Sequence, residues 1–429
     1  MNEVLIIFLA LLGTILIGVP IPIAVAFATL IGYHLIDLPF VALAQAMYTA
    51  VEPMPLMTVP LFVLAGALME KGGLASRLVG IAQALVGRYT GSLGMVTILG
   101  CTFFAALSGS GPATTAAIGA VMIPAMVRQG YTGSFGGALA ASGGALGSLI
   151  PPSNLMIIYG IVSDTSIPRL FLAGIIPGVL ASLLLMLGTW IIAKKANFTQ
   201  QMEPFRLDHF AKSLWFGKWA IGAPLVILGG IYAGIFTPTE AASVAVFYAL
   251  IVGLFIHKEL KLTHLMDCMR ITAIVSGTVL IIIGPAKAFG ELMTLMSVPE
   301  TIGGFLNAFT ENRLILVLAL VAVLIISGMF LESIAQIILF VPLMLPIAIQ
   351  VGIDPIVFGM LMVIACEIGF LTPPVGANLF VASHIANTGI DKLSVAVLPF
   401  LLIYLIVILI VILMPEWVLW LPNLIYGSE

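Results

Sequence analysis

The sequence predicts an all-α polytopic membrane protein with two inverted repeats, each containing a re-entrant hairpin and a broken helix. Of its 429 residues, 61% are hydrophobic and only 8% are charged, whereas a soluble domain has roughly a quarter of its residues charged. Residues 100–178 also align without a gap with residues 322–400, at an offset of 222. Finally, prolines and glycines lie inside long apolar runs, where they interrupt helices.

The repeat is supported by residues that determine backbone shape rather than by apolar identity, which is common in any membrane protein. Because proline and glycine impose special backbone geometry, their alignment indicates that one backbone occurs twice. The aligned pairs are Pro124 with Pro346, Gly130 with Gly352, Gly137 with Gly359, Gly147 with Gly369, Pro151-Pro152 with Pro373-Pro374, and Pro177 with Pro399.

Apolar stretches predict the membrane segments. Segments 71–90 and 295–312 are amphipathic instead, which is typical of helices at the membrane surface. The segment 194–218 is the long polar linker between the repeats. The apolar stretches are 4–36, 54–70, 92–127, 134–162, 170–193, 219–256, 271–290, 314–349, 356–386 and 393–415.

Basic residues predict that the two repeats have opposite orientations. If 92–127 enters and returns as a hairpin and 134–162 crosses once as a broken helix, nearly all Lys and Arg residues lie on the cytoplasmic side, as the positive-inside rule requires. The exceptions are Arg169, Arg313 and Lys287. This arrangement predicts cytoplasmic loops at 194–218 and 257–270, with the N-terminus and the C-terminus in the periplasm.

Four breaks inside apolar runs carry the candidate chemistry. Unpaired backbone groups at membrane depth are tolerated where they line a cavity, so paired breaks predict a secondary transporter with its site where the repeats meet. For the first break a packed small-residue helix contact is the alternative, and for the second a simple proline kink. The breaks are 107–115, 143–154, 329–336 and 367–378.

Two carboxylates accompany the second pair of breaks. Glu332 lies within an apolar run, where a charge costs roughly 2.5–3.5 kcal/mol at the bilayer centre, so it is a functional candidate. An interfacial or protonated glutamate is its alternative. Glu367 belongs either to the cavity or to packing, and the sequence leaves the roles of Glu367 and Lys287 open.

Broken helices expose partial charges that bind ions. Amide ends attract an anion and carbonyl ends attract a cation. Because the breaks offer oxygen ligands without His or Cys, they favour a hard cation such as Na⁺ over a transition metal. We therefore expect at least two Na⁺ ions, related by the pseudo-twofold axis. The net charge of −3 is too small to indicate a nucleic-acid partner.

The chain resembles the large membrane subunit of tripartite ATP-independent periplasmic (TRAP) transporters over essentially its whole length. More distantly, it resembles the divalent-anion/sodium symporter fold, although it lacks the Asn of that fold at both hairpin tips. That difference favours backbone carbonyls as ligands. The motifs are Ser108-Gly-Ser110-Gly-Pro-Ala-Thr-Thr, Pro151-Pro-Ser-Asn154, Thr237-Pro-Thr-Glu-Ala241 and Leu371-Thr-Pro-Pro-Val-Gly-Ala-Asn378.

The resemblance implies a sodium-coupled elevator carrier in a bacterial inner membrane. It implies a small membrane subunit of about four helices and a soluble periplasmic substrate-binding protein as partners. The substrate would be a small organic acid, with sialic acid favoured and a C4-dicarboxylate next. We therefore expect a transporter and not an enzyme.

The resemblance also implies roles for individual residues. One sodium would be framed by Ser110, Gly111, Pro112, Gly144 and Gly147. The other would be framed by Ser333, Ile334, Ala335, Gly369, Thr372 and Asn378. The substrate would face Ser108, Ser110, Ser153, Asn154 and Glu332.

The resulting domain prediction pairs a scaffold with a transport domain. The scaffold comprises 1–70 and 219–290, and the transport domain comprises 91–193 and 313–415. Amphipathic arms at 71–90 and 291–312 join them, 194–218 is a cytoplasmic linker, and 416–429 is a C-terminal tail.

Three alternatives to this function remain at the level of sequence. A standalone sodium/divalent-carboxylate symporter would need no binding protein. A membrane-embedded enzyme would need a catalytic motif, and the sequence has no His-Glu-x-x-His or Gly-x-Ser-x-Gly. A polytopic scaffold protein would leave the repeated breaks without a purpose.

Overall fold

The computed structural model describes residues 2–87, 89, 91–195, 206–309 and 312–427. Several positions used in the sequence predictions lie outside the described residues. They are Met1 in the scaffold, Arg88 and Thr90 in the first arm, 196–205 in the linker, 310–311 in the second arm and 428–429 in the tail.

The first part of the chain forms short apolar helices, three of which begin directly after a proline or a glycine. Proline suits the first turn of a helix because the amide hydrogen that it lacks has no partner there. A 3₁₀ turn at Met54–Met57 precedes the fourth helix. The helices are α1 (Asn2–Leu16), α2 (Ile21–Leu35), α3 (Phe40–Ala50), α4 (Thr58–Lys71) and α5 (Leu74–Val86).

The next part contains the first hairpin and the first broken helix. Helices α6 and α7 form the hairpin, and the chain between α8 and α10 is interrupted around Pro151-Pro152, whose peptide bond is cis. The helices are α6 (Ser92–Ser108), α7 (Gly111–Arg128), α8 (Gly133–Gly144), α9 (Leu146–Leu149), α10 (Asn154–Ser163) and α11 (Ile167–Lys195).

A second set of helices begins inside the predicted linker. At the start of α14, Thr237 and Glu240 form a capping box in which each side chain accepts a hydrogen bond from the other residue's backbone N–H. A π-helical turn at Val252–Ile256 follows this helix. The helices are α12 (Leu207–Phe216), α13 (Lys218–Tyr232), α14 (Pro238–Ile251), α15 (Leu262–Leu295) and α16 (Val298–Phe309).

The last part repeats the hairpin and the break. The second cis peptide bond, Pro373-Pro374, separates α19 from α20. Helices α17 and α18 occupy positions displaced from α6 and α7 by the offset seen in the sequence. The helices are α17 (Arg313–Gly328), α18 (Ser333–Gln350), α19 (Pro355–Phe370), α20 (Ala377–Ala386), α21 (Ile390–Leu413) and α22 (Pro415–Tyr426).

The helices pack in two groups. Helix α15 packs against α2, α3 and α4, and α14 packs against α4 and α13. The hairpins and broken helices form the second group, which meets the first mainly where α15 contacts α18 and where α4 contacts α6 and α10. The division into a scaffold and a transport domain, and the relative motion of the two, stay predictions.

In the second group, each half of the chain contributes a helix that packs on the hairpin of the other half. The second part of the first broken helix, α10, packs against α18 of the second hairpin. In return, α20 of the second broken helix packs against α7 and α8 of the first half. Each hairpin is therefore completed by a helix from the other half of the chain.

The predicted all-α polytopic membrane fold is confirmed. The described residues form helices without strands, and seven of these helices are long and apolar enough to cross a membrane. A further pair, α12 and α13, meets at 60°. The opposite orientation of the repeats stays a prediction. Two boundaries differ from the sequence pattern, since α15 runs past residue 290 and α12 occupies much of the linker.

Candidate functional site

The first hairpin turns at a glycine. Helix α6 ends at Ser108, Gly109 takes a left-handed conformation with φ of +62°, and α7 begins at Gly111. A left-handed residue reverses the chain most easily without a Cβ atom. Across the turn, the hydroxyl oxygens of Ser108 and Thr114 lie 2.6 Å apart in a buried hydrogen bond.

This tip contacts the break between α9 and α10. The backbone N–H of Asn154 donates to the carbonyl oxygen of Gly109 at 3.1 Å. A Cβ atom on Gly109 would lie 2.8 Å from the carbonyl oxygen of Pro152. Ser153 caps α10, because its hydroxyl oxygen accepts from the N–H of Met156 at 3.4 Å. Four residues predicted to face the substrate, Ser108, Ser110, Ser153 and Asn154, therefore lie around one junction.

The residues predicted for the first sodium converge on the start of α7. The N–H of Gly111 donates to the Ser148 hydroxyl at 3.2 Å. A Cβ atom on Gly144 would lie 3.0 Å from the Gly111 carbonyl oxygen, and one on Gly147 would overlap the Ser110 carbonyl oxygen. Pro112 occupies the first turn of α7. The structure thus brings this predicted set together.

The second hairpin tip has a different chemistry. Glu332 precedes α18, and its carboxylate accepts from the N–H groups of Ile334 at 2.9 Å and Ala335 at 3.2 Å. The backbone contact with the break is kept, since the N–H of Val375 donates to the Met329 carbonyl oxygen at 3.2 Å. The described hydrogen bonds of the Glu332 carboxylate stay within its own helix end, away from the other residues predicted to face the substrate.

The residues predicted for the second sodium lie less close together than those predicted for the first. Ser333, Ile334 and Ala335 form the first turn of α18. Gly369 packs on the Gly328 backbone so closely that a Cβ atom would overlap it. The Thr372 hydroxyl donates to the Ile368 carbonyl oxygen at 2.7 Å.

Asn378 belongs spatially to the first hairpin. Its side-chain amide donates to the Glu367 carboxylate at 3.2 Å. Both side chains lie against Gly111, on which a Cβ atom would be 2.9 Å from Glu367 Oε2 and 3.1 Å from Asn378 Oδ1. The second broken helix thus reaches the tip of the first hairpin.

Several buried oxygen atoms of the site have no hydrogen-bond partner in the described structure. Buried polar atoms are normally paired, so unpaired acceptors mark positions where a further group fits. Oxygen-only donors suit a hard cation such as Na⁺, so the residues present are compatible with the predicted ion. The oxygens are Asn154 Oδ1, Ser333 Oγ, Glu367 Oε1 and Asn378 Oδ1.

The structure adds polar residues that the sequence did not single out individually. Ser148 supports the Gly111 N–H, and Thr115 donates to the Gly111 carbonyl oxygen at 3.0 Å. Gln336 links α18 to α17 through Leu324 and Ser327. Thr115 and Ser148 lie inside the first two break motifs, so their hydroxyls within apolar runs were the available signal.

A cavity of about 630 Å³ lies between the two helix groups. Ala50 and α15 line one side of it, and Ile161 of α10 with Ile338 and Pro342 of α18 line the other. Lys287 and Glu291 supply its charges, and the Lys287 ammonium donates to the Thr49 hydroxyl at 3.4 Å. The cavity is therefore mixed in character and lies on the boundary between the two groups.

Comparison with known proteins identifies the family. The model of the "Tripartite ATP-independent periplasmic transporter, DctM component" matches residues 5–417. The chain belongs to the DctM family. It is therefore a multi-pass membrane transporter permease.

Individual relatives differ in the substrates that their names give. The chain is 43% identical over 404 residues to an isethionate TRAP transporter permease, DctMQ, of Oleidesulfovibrio alaskensis, and covers 94% of itself but 63% of that relative. It is 37% identical to a C4-dicarboxylate large permease, DctM, of Rhodobacter capsulatus, covering 98% and 99% of the two chains. It is 36% identical to a sialic acid large permease, SiaM, of Vibrio cholerae, covering 97% of each.

The DctM fold also resembles a solved structure. The YdaH transporter of Alcanivorax borkumensis matches with a TM-score of 0.61 at 15% identity, covering 89% of this chain and 87% of the other. This likeness concerns the fold.

Proposed function

We propose that this chain is the large permease of a sodium-coupled TRAP transporter that takes up a small organic acid across a bacterial inner membrane. The observation that carries the proposal is the convergence of Ser108, Ser110, Ser153 and Asn154 at the junction of the first hairpin and the first break. This junction combines two helix N-termini, which favour an anion, with buried unpaired oxygens, which favour a cation.

The substrate is an organic anion. The names of the relatives point to isethionate, C4-dicarboxylates and sialic acid, which share an acidic group that the helix N-termini would bind. Of these, sialic acid is the first candidate of this proposal and a C4-dicarboxylate the second. The small hydroxyl side chains at the junction suit hydrogen bonding to such polar anions.

Sodium would be held at the two hairpin tips. Carbonyl and hydroxyl oxygens around Ser110, Gly111 and Gly147 would bind one ion, and those around Ser333 and Thr372 would bind the other. The ions would supply the driving force, since one positive charge moving down 100 mV yields about 2.3 kcal/mol. Ion binding would also reduce the net charge that the moving domain carries through the membrane.

The proposed movement is of the elevator type. The group with the hairpins and broken helices would slide against the group that contains α1 to α4 and α13 to α15. Support comes from the separate packing of the two groups and from the cavity between them. Helix α5, an amphipathic helix that contacts α6, α12 and α13, would be one connecting arm.

Partners complete the proposed system. A small membrane subunit and a periplasmic substrate-binding protein would act with this chain, with loops 194–218 and 257–270 on the cytoplasmic side. The name of the DctMQ relative and its greater length are compatible with a fused second subunit. The whole assembly is therefore the unit to be assayed.

The test is uptake by proteoliposomes containing the chain with its small subunit, supplied with the binding protein and an inward Na⁺ gradient. A panel of isethionate, C4-dicarboxylates and sialic acid identifies the substrate. We expect uptake to require Na⁺ and the binding protein. Equal uptake by liposomes with this chain alone would favour the standalone symporter, and uptake without Na⁺ would disprove the coupling.

Two substitutions test the site. Ser110→Leu and Asn154→Trp place bulk at the junction, and we expect both to abolish sodium-dependent uptake while leaving expression intact. Ser76→Leu, at an exposed serine of α5, is the matched control and should transport normally. Normal uptake by both junction variants would show that the site lies elsewhere.

A further inference from the structure

Glu367 is a buried carboxylate without a basic neighbour among the described residues. It lies in the last turn of α19 with none of its surface exposed, and no other acidic side chain of the described residues is as buried. The ion pairs within the described ranges involve other acids. The titratable groups that face it are the thiol of Cys366 and the phenol of Tyr404. Neither group offers a positive charge, so the buried carboxyl group of Glu367 needs either a bound proton or a bound cation.

The position of Glu367 links the two halves of the chain. Its Oε2 atom accepts from the Asn378 amide at 3.2 Å and lies against the first residue of α7, Gly111. The Ser148 hydroxyl, which accepts from the Gly111 N–H, is beside the same carboxyl group. A carboxylate from the second half therefore ends at the tip of the first hairpin.

Two oxygens of this pair, Glu367 Oε1 and Asn378 Oδ1, are buried and have no hydrogen-bond partner in the described structure. The Ser148 hydroxyl is available to the carboxyl group, whereas Asn378 Oδ1 still needs a further donor or a cation that takes oxygen ligands. The carbonyl oxygens of the adjoining turn already accept hydroxyl hydrogen bonds, Ser110 O from Ser108 at 3.4 Å and Gly111 O from Thr115 at 3.0 Å. The side-chain oxygens of Glu367 and Asn378 are therefore the ones that remain for a further ligand.

The adjoining helix end explains why a carboxylate is needed. The N-terminus of α7 carries a partial positive charge, which disfavours a cation at the hairpin tip. A fixed negative charge beside Gly111 offsets it. The neutral residues predicted for the first sodium cannot supply that charge.

We propose that Glu367 and Asn378 are ligands of the sodium ion at the first hairpin tip, so that this ion is bound by both halves of the chain. The inference rests on the sodium coupling proposed above. It adds an anionic ligand to the predicted set and moves Asn378 from the second ion to the first. The second broken helix then responds directly to the ion at the first hairpin.

Sodium titration of the purified permease with its small subunit tests the proposal. Thermal unfolding is followed as Na⁺ replaces choline at constant ionic strength, without substrate. Glu367→Gln keeps the shape of the side chain and removes its charge. We expect the half-saturating Na⁺ concentration to rise about ten-fold or more, as loss of metal-site partners typically does. Glu300→Gln, at an exposed acid of α16, should titrate like the wild type.

Asn378→Leu gives a second test that keeps the side-chain volume and removes the unpaired oxygen. It should also raise the half-saturating Na⁺ concentration. Wild-type titrations in both variants would overturn the inference, and so would a change confined to the pH dependence of stability, which would indicate a bound proton. If the wild type shows no response to Na⁺ in stability or uptake, the sodium coupling itself is wrong.

Discussion

The two hairpin tips have the same backbone course but obtain their negative charge differently. At the second tip, Glu332 is surface-accessible and caps its own helix through two hydrogen bonds. At the first tip, α7 has no side-chain cap, and the carboxylate beside it, Glu367, comes from the other half of the chain.

This difference separates a local role from a long-range role. A carboxylate that caps its own helix stabilises one turn whatever the rest of the chain does. A carboxylate that comes from another helix depends on how the two halves pack. The negative charge at the first tip therefore depends on how the two halves pack, whereas the charge at the second tip does not.

The largest loss of uptake is expected when side-chain bulk is added to the glycines that pack closely against the two hairpin tips. Gly369→Ala would place a methyl group onto the Gly328 backbone, and Gly147→Ala would place one onto the Ser110 carbonyl oxygen. Overpacking costs about 1–3 kcal/mol and more where backbone must move, so both variants should lose uptake. Measurement of uptake and of monodisperse yield checks this.

Gly80→Ala is the matched control, because its added methyl group has open space and lies within α5. It should increase stability by up to about 1 kcal/mol. Normal transport by Gly369→Ala would mean that the close approach at the second tip is dispensable.

An intermediate effect is expected at the first tip alone. Ser148→Ala removes the acceptor of the buried Gly111 N–H, and an unsatisfied buried donor costs about 1–3 kcal/mol. We expect a lower unfolding temperature and weaker uptake. Ser142→Ala removes a buried hydroxyl that has no partner in the described structure and should leave both quantities near wild type. Equal effects of the two variants would argue against a specific role for the Gly111 hydrogen bond.

The smallest effect is expected at the second tip. Glu332→Ala removes the cap of α18 and should lower stability by about 1 kcal/mol, while Glu332→Gln keeps an acceptor oxygen and should lower it less. The unfolding temperatures of the wild type, Glu332→Gln and Glu332→Ala should decrease in that order. If the Gln variant were as unstable as the Ala variant, the negative charge would matter more than the hydrogen bonds.

The breaks of the fold were predictable from sequence, whereas the pairing between halves was not. Pro151-Pro152 and Pro373-Pro374 determine where helices stop, because proline lacks the donor that a helix needs. The family resemblance grouped Asn378 with Ser333, but the Asn378 side chain contacts Glu367 and Gly111. Sequence order does not specify which hairpin a half-helix packs on.

For the same reason, the sequence could not assign a role to Glu367. Its position in an apolar run left packing and function equally open, and the contacts across the halves are what distinguish it. By contrast, the residues that the family resemblance implies for the first sodium lie in neighbouring breaks of one repeat, and the structure brings Ser110 and Gly147 into contact. Their binding of sodium stays a prediction.

The exchanged packing of α10 on α18 and of α20 on α7 has one further consequence. Neither half of the chain can turn or slide without carrying a helix of the other, so the hairpins would travel as one interlocked body. In a fragment that ends before α12, the surface of α7 and α8 on which α20 packs would be uncovered. Only the missing half or a second copy of the chain could cover it.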